Sequence, residues 1–201
     1  HYWKGRLYKK WNLENKWSRV ITEVIDLKLI GITGDSGVGK STIALRLSEK
    51  LKCPFLDIDK VILNSESISK EDRTPQISKM KPEYFKLLID NLENLNSGIS
   101  MLLNNMVENE VNKISKESDT IIVEWMFLPY LKIWQECDTK ILMKVDEELR
   151  RSNAINNKLV TKEQYDGCVS MVKVDYSKFD YDYTFYNNYD NKSLEKILDK
   201  F

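Results

Sequence analysis

From position 28 onward the chain alternates short apolar runs with longer stretches in which apolar residues recur every three or four positions. Lys28 to Thr33 is such a run, through Leu29, Ile30 and Ile32, and reads as a buried strand. Ser41 to Leu51 carries Ile43, Leu47 and Leu51 at helical spacing. Strands are also predicted over Pro54 to Asp59, Asp119 to Trp125, Lys140 to Val145 and Tyr181 to Tyr186. Helices are predicted over 41–51, in two pieces between 82 and 116, and over 127–136, 146–155, 161–171 and 191–200. Near-continuous apolar strands separated by helices predict an α/β fold with a parallel five-stranded sheet and helices on both faces. Residues 65–81 lack apolar periodicity and read as a mobile loop.

Residues 1–27 precede that pattern. Trp3, Trp11 and Trp17, interleaved with Lys4, Arg6, Lys9, Lys10, Lys16 and Arg19, are too apolar for a disordered tail. The chain therefore divides into an aromatic and basic extension, 1–27, and a domain, 28–201. The extension is expected to pack as a strand and helix on the core or on the second copy of a homodimer. Aromatic residues among basic ones can stack on bases, but the rest of the chain offers no basic surface. Lys and Arg number 31, as do Asp and Glu, so bulk charge attracts neither nucleic acid nor an anionic membrane.

Other signals narrow the classes further. No apolar run approaches the roughly 20 residues of a membrane span, and no signal-peptide pattern is visible. Cys53, Cys137 and Cys168 are odd in number and form no CxxC, which argues against a disulfide or zinc framework. A cytoplasmic protein is the simplest expectation. His1 is the only histidine, so a general base has to be a carboxylate or water.

Four of the seven glycines fall between positions 31 and 39. Gly34-Asp35-Ser36-Gly37-Val38-Gly39-Lys40-Ser41 matches G-x-x-x-x-G-K-S, the phosphate-binding P-loop, and lies between a predicted strand and a predicted helix as that motif requires. Glycines give the loop torsions closed to other residues, so that successive N–H groups converge on a phosphate. The helix that follows adds unsatisfied N–H groups and a positive dipole end. Lys40 is expected at the β- and γ-phosphates of ATP, Ser41 on Mg²⁺ and Thr42 at the α-phosphate.

Ligands in open α/β sheets bind beyond the carboxyl ends of the strands. Asp57 and Asp59, at the predicted end of the second strand, are expected to face one side. Glu124, ending the third, occupies the place of a metal-associated acid. Each has a plainer alternative: Asp59 as cap of a following helix, Glu124 as partner of a nearby lysine.

With its P-loop, its Leu56-Asp57-Ile58-Asp59 strand end and its Val145-to-Arg151 segment, the chain resembles the P-loop small-molecule kinases, most of all dephospho-coenzyme A kinase. The resemblance covers residues 28–64 and 119–201 and implies a three-layer P-loop kinase fold with a short helical lid. It also implies an ATP-dependent phosphotransferase using Mg²⁺ and acting on a small metabolite. It assigns 60–116 to the acceptor wall and 146–165 to the lid, with Arg150 or Arg151 closing over the phosphates. Asp57 would orient or deprotonate the acceptor, Ser41, Glu124 and Asp59 would serve the metal, and Asn187 would lie in the adenine-side loop. Arg73 and Lys79 are candidate anion anchors. The chain departs from that family in its adjacent rather than spaced lid arginines, and it lacks the family's His-Pro and Phe-Gly segments. Glu124 followed by Phe127 is reminiscent of uridine kinase-like proteins. A degenerate kinase fold acting as a nucleotide-dependent binding module is the alternative from another class.

Overall fold

The computed structural model describes residues 7–8, 24–64, 82–157, 159, 161–166 and 174–201. Two short strands, β1 (Leu7–Tyr8) and β2 (Val24–Ile25), pair antiparallel. The main sheet contains β3 (Lys28–Gly34), β4 (Phe55–Asp57), β5 (Thr120–Glu124), β6 (Thr139–Lys144) and β7 (Tyr183–Tyr186). Their spatial order is β4-β5-β3-β6-β7, and all the pairings are parallel. The strand carrying the P-loop is therefore central, with β5 on one side and β6 on the other.

Helices between the strands cover both faces: α1 (Lys40–Leu51), α2 (Ile58–Asn64), α3 (Pro82–Glu93), α4 (Gly98–Ile114), α5 (Lys132–Glu136), α6 (Glu147–Asn156), α7 (Lys162–Gln164) and α8 (Asn191–Leu198). Alternate side chains of one strand feed opposite cores. Ile121 and Val123 of β5 join Leu92, Leu103, Val107 and Trp134 under α3, α4 and α5. Ile122 joins Ile30, Ile32, Ile43, Leu47, Ile141 and Ile197 under α1 and α8. The expected α/β architecture is the one observed.

Several boundaries moved, for local reasons. The second strand stops at Asp57 because α2 begins at Ile58, so Asp59 stands in the first turn of a helix rather than on a strand. The helix expected over 127–136 is broken into a 3₁₀ turn, Leu128–Tyr130, and α5, with Leu131 extended between them. Buried Asn104 accepts the Lys132 N–H at 2.8 Å and so closes the start of α5. The fifth strand begins at Tyr183, two residues late. Residues 167–171 of the helix expected over 161–171, the loop 65–81 with Arg73 and Lys79, and residues 1–6 and 9–23 of the extension lie outside the described residues. Among the described residues no helix is long and apolar enough to cross a membrane.

Candidate active site

At the carboxyl end of β3 the chain turns through Gly34 (φ 143°), Gly37 (φ 81°) and Gly39 (φ 94°) before α1 starts at Lys40. A side chain at Gly39 would be strained by its torsion and would also press on the Asn187 amide. No side chain caps α1. By contrast, α4, α6, α7 and α8 are capped by Ser97, Asp146, Thr161 and Asp190. The first-turn N–H groups of α1, with the helix dipole behind them, are therefore not taken up by a side-chain cap.

The carbonyls of the loop are held from outside. Lys40 Nζ donates to Asp35 O at 3.0 Å, Arg150 Nη1 to Ser36 O at 3.2 Å, Tyr189 OH to Gly37 O at 2.7 Å and Asn187 Nδ2 to Val38 O at 3.0 Å. Four consecutive carbonyls accept from four different side chains.

Glu124 lies across from Ile32 on one side and Asp57 on the other. It is 4% exposed; its Oε2 accepts from Ser41 Oγ at 2.9 Å, and its Oε1 is 3.8 Å from Lys40 Nζ. Burial raises its pKa above the ordinary glutamate value, Lys40 and the Ser41 hydroxyl oppose that, and Asp57 and Asp59 add to it. The plainer reading of Glu124, as partner of a nearby lysine, is the one observed, and that lysine is Lys40 of the P-loop.

Asp57, not Asp59, caps α2: its Oδ1 accepts the Lys60 N–H at 3.3 Å and its Oδ2 is 3.4 Å from Lys60 Nζ. Asp59 Oδ1 accepts the buried Trp125 indole N–H at 2.8 Å. Solvent reaches Asp59 from one side, but the protein crowded around its carboxyl removes enough hydration to raise its pKa. The Trp125 bond and Lys40 pull the other way, and Asp57 adds to the rise. Lys40, Ser41, Asp57, Asp59 and Glu124 thus form one electrostatically linked group at adjacent strand ends.

A family model described as an AAA domain matches residues 30–154. The chain belongs to the AAA domain family. A stretch of the chain is 39% identical over 71 residues to a gluconokinase of Arabidopsis thaliana, covering 31% of this chain and 38% of the relative, so the chain spans well under half of that protein's length. Two solved structures share the fold. The Thermus thermophilus protein TT1252 superposes with a TM-score of 0.61 at 17% identity, covering 87% of this chain and 95% of that one. A shikimate kinase from Bacteroides thetaiotaomicron does so at 0.52 and 18% identity, covering 86% and 95%. The architecture is that of a P-loop kinase.

The arginine pair of this AAA domain separates. Arg150 is 2% exposed. Besides Ser36 O it reaches Glu147 Oε2 at 2.7 Å, lies 3.9 Å from Asp35 Oδ2 and stacks its guanidinium 5.7 Å from the Tyr165 ring centre. Burial works against its charge, yet Tyr165, Asp35 and Glu147 together raise its pKa. Tyr165, whose OH donates to Glu147 Oε1 at 2.8 Å, has its own pKa pushed up to about 12, chiefly by burial. Arg151 instead makes a bidentate pair with Asp166 at the surface, both contacts 2.9 Å.

The donor set fits a magnesium–nucleotide complex. An uncapped helix start, a loop whose carbonyls are already occupied, a lysine and a serine hydroxyl converge with Glu124, and the Arg150 Nε beside the loop is buried without a hydrogen-bond partner. Among the described residues no three His, Cys, Asp or Glu side chains stand close enough to hold a metal ion by themselves. Trp125 and Tyr189 received no role from the sequence. Neither belongs to a spacing rule; the only signals were an indole directly after Glu124 and a tyrosine two residues past Asn187.

Proposed function

We propose that this protein is a phosphotransferase that moves the γ-phosphoryl group of ATP to a hydroxyl or phosphate of a small metabolite, with hydroxy acids and polyols the favoured acceptors. The observation that carries the reading is the register at the sheet's carboxyl end. Lys40 and Ser41 meet Glu124 there, and Asp57 and Asp59 stand one strand farther out. Donor and acceptor groups then lie side by side, as in-line transfer requires.

In the reaction the acceptor oxygen bonds to the γ-phosphorus, the bond from that phosphorus to the β,γ-bridging oxygen breaks, and ADP leaves. Lys40 exchanges Asp35 O and Glu124 for phosphate oxygens. Residues 34–42 cradle the phosphates, Thr42 toward the α-phosphate, and Asn187 lies on the base side. Asp57 or Asp59 takes the acceptor's proton, and the carboxylate's position matters more than its basicity in a loose transition state. Arg150 turns from Ser36 O toward the phosphates as residues 146–165 close, and Arg151 anchors that segment through Asp166. Ser41, Glu124 and Asp59 would hold magnesium directly or through water, and the ion when bound would supply charge neutralisation of the transferring oxygens.

The fold likeness to shikimate kinase and the stretch shared with gluconokinase support hydroxyl acceptors. The test is ADP release driven by acceptor, over gluconate, shikimate, nucleosides and dephospho-coenzyme A. One class is expected to accelerate release at least tenfold over ATP alone. If ADP binds and no acceptor accelerates its release, the binding-module reading replaces this one.

A further inference from the structure

We propose that Tyr189 is a positioning residue for phosphate binding: with Asn187 it forms an outer brace that fixes the crown of the P-loop independently of the two cations that also hold it. The inference rests on the nucleotide-binding reading of that loop.

Peptide planes are rigid, so a side chain that fixes a carbonyl also fixes the N–H of the next residue. Holding Gly37 O therefore fixes the Val38 N–H, which makes a long 3.4 Å bond to Asp35 O inside the loop, and holding Val38 O aims the Gly39 N–H. These two bonds come from the segment after β7, while the bonds to Asp35 O and Ser36 O come from Lys40 and Arg150. The distinction has a functional consequence. Lys40 and Arg150 are cations that an incoming triphosphate draws toward itself, which releases Asp35 O and Ser36 O. Tyr189 and Asn187 are neutral and have no reason to leave. They keep the loop's shape when the other two move.

The brace is itself well anchored. Asn187 N–H continues the sheet ladder onto Lys144 O at 2.9 Å, and Asn187 Oδ1 accepts the Tyr189 N–H at 2.9 Å. Asn188 N–H donates to Ser193 Oγ at 3.2 Å, tying the segment to the first turn of α8. Tyr189 takes a left-handed backbone, φ 59°. Among the described residues only Lys52, at the end of α1, shares that torsion without being glycine. A bulky aromatic there is an outlier, and this torsion carries the phenol back over Gly37. The ring also feels Arg150 and Glu147 electrostatically, so it stands where the base-side segment and α6 approach the same loop.

Tyr189→Phe removes only the hydroxyl, at an exposed contact, and should fold as the parent does. Calorimetric titration with ADP, ATP and adenosine reads the effect. ADP and ATP affinities should fall about three- to tenfold, the weight of one net hydrogen bond, with adenosine affinity held. In turnover the KM for ATP should rise by the same factor and kcat fall less than twofold, because the loop grips ground state and transition state alike. Tyr189→Gly, which relaxes the left-handed torsion, should weaken ADP further without lowering the melting temperature of the free protein. Equal ADP affinity in wild type and Tyr189→Phe overturns the inference. So does an equal loss for adenosine, which would make Tyr189 a base-contacting residue. If the wild type binds neither ADP nor ATP, the nucleotide reading fails first and the brace falls with it.

Discussion

Acidic side chains close both ends of the main sheet, and they are held in opposite ways. At the amino ends, exposed Asp138 accepts the Leu29 N–H at 2.9 Å and exposed Asp182 the Lys140 N–H at 2.7 Å. Each adds a bond to a strand that would otherwise start with an open donor. At the carboxyl ends, Glu124 is buried against Lys40 and Asp59 is crowded beside Trp125, and the fold raises both pKa values. A carboxyl whose pKa is raised by folding favours the folded state in acid, and that contribution is lost as pH rises through the raised value. The exposed helix-capping Asp190 has the reverse sign, for its lowered pKa makes a contribution that is lost as pH falls through it. The amino-end aspartates supply strand hydrogen bonds, while Glu124 and Asp59 at the carboxyl end carry charges that their surroundings disfavour.

The largest expected effect breaks the carboxyl end at its centre. Lys40→Met keeps the length of an 8% exposed side chain and removes its charge. Turnover should fall by about 10³-fold or more, since stabilising charge on the transferring group is the main catalytic contribution in this chemistry. The melting temperature should hold, because Glu124, already raised in pKa, can take a proton once its cation is gone. Turnover at the wild-type level would remove the P-loop from the mechanism.

The second comparison lies within the lid. Arg150→Ala is expected to lower kcat about 10²-fold or more, in line with arginines that meet transferring phosphates, while Arg151→Ala changes it less than twofold. Single-turnover rates separate the two. Equal losses would mean that residues 146–165 act as a packed unit rather than through one guanidinium.

What the sequence made legible follows the range of the interactions involved. The P-loop is contiguous, so its spacing alone located Gly34 to Thr42, and the main strands were legible as short apolar runs, although their spatial order was not. Glu124 was legible because it closes an apolar run. The local contacts of Asp57 and Asp59 were not, because they turn on whether the strand ends two residues earlier, and a capping side chain decides that locally. The split between Arg150 and Arg151 depends on helix rotation and on Asp166, which lies 15 residues away. Tyr189 was invisible for a similar reason. Its partner Gly37 is 152 residues distant, and no pattern in the chain couples the two.

Glu124→Gln sharpens the contrast in sign. The amide still accepts from Ser41 but carries no charge for Lys40 or for magnesium. Turnover should fall about 10²-fold, with a steeper demand for added magnesium. Free-protein stability measured from pH 4 to pH 8 tells more. The wild type should lose stability as pH climbs above the ordinary carboxylate range, and the variant should lose less, the remainder belonging to Asp59. Identical pH profiles would show that the surroundings of Glu124 do not raise its pKa.

The smallest effect tests the opposite end of the sheet. Asp138→Ala removes the acceptor of the Leu29 N–H without touching any group near the P-loop. Leu29 is 3% exposed, so water reaches the abandoned donor poorly, and the backbone bond from Asp138 N–H to Leu29 O at 2.9 Å survives to hold the strands in register. The expected cost is about 1 kcal/mol, which for a chain of this size is a fall of about 2–4 °C in melting temperature. Turnover per folded molecule should match the wild type, because β3 enters the loop at Gly34, six residues and roughly 20 Å of strand beyond Leu29's neighbour Lys28. A loss of turnover in this variant, with the melting temperature unchanged, would mean that strain at the amino end of β3 reaches the loop and that the two ends of the sheet are not independent.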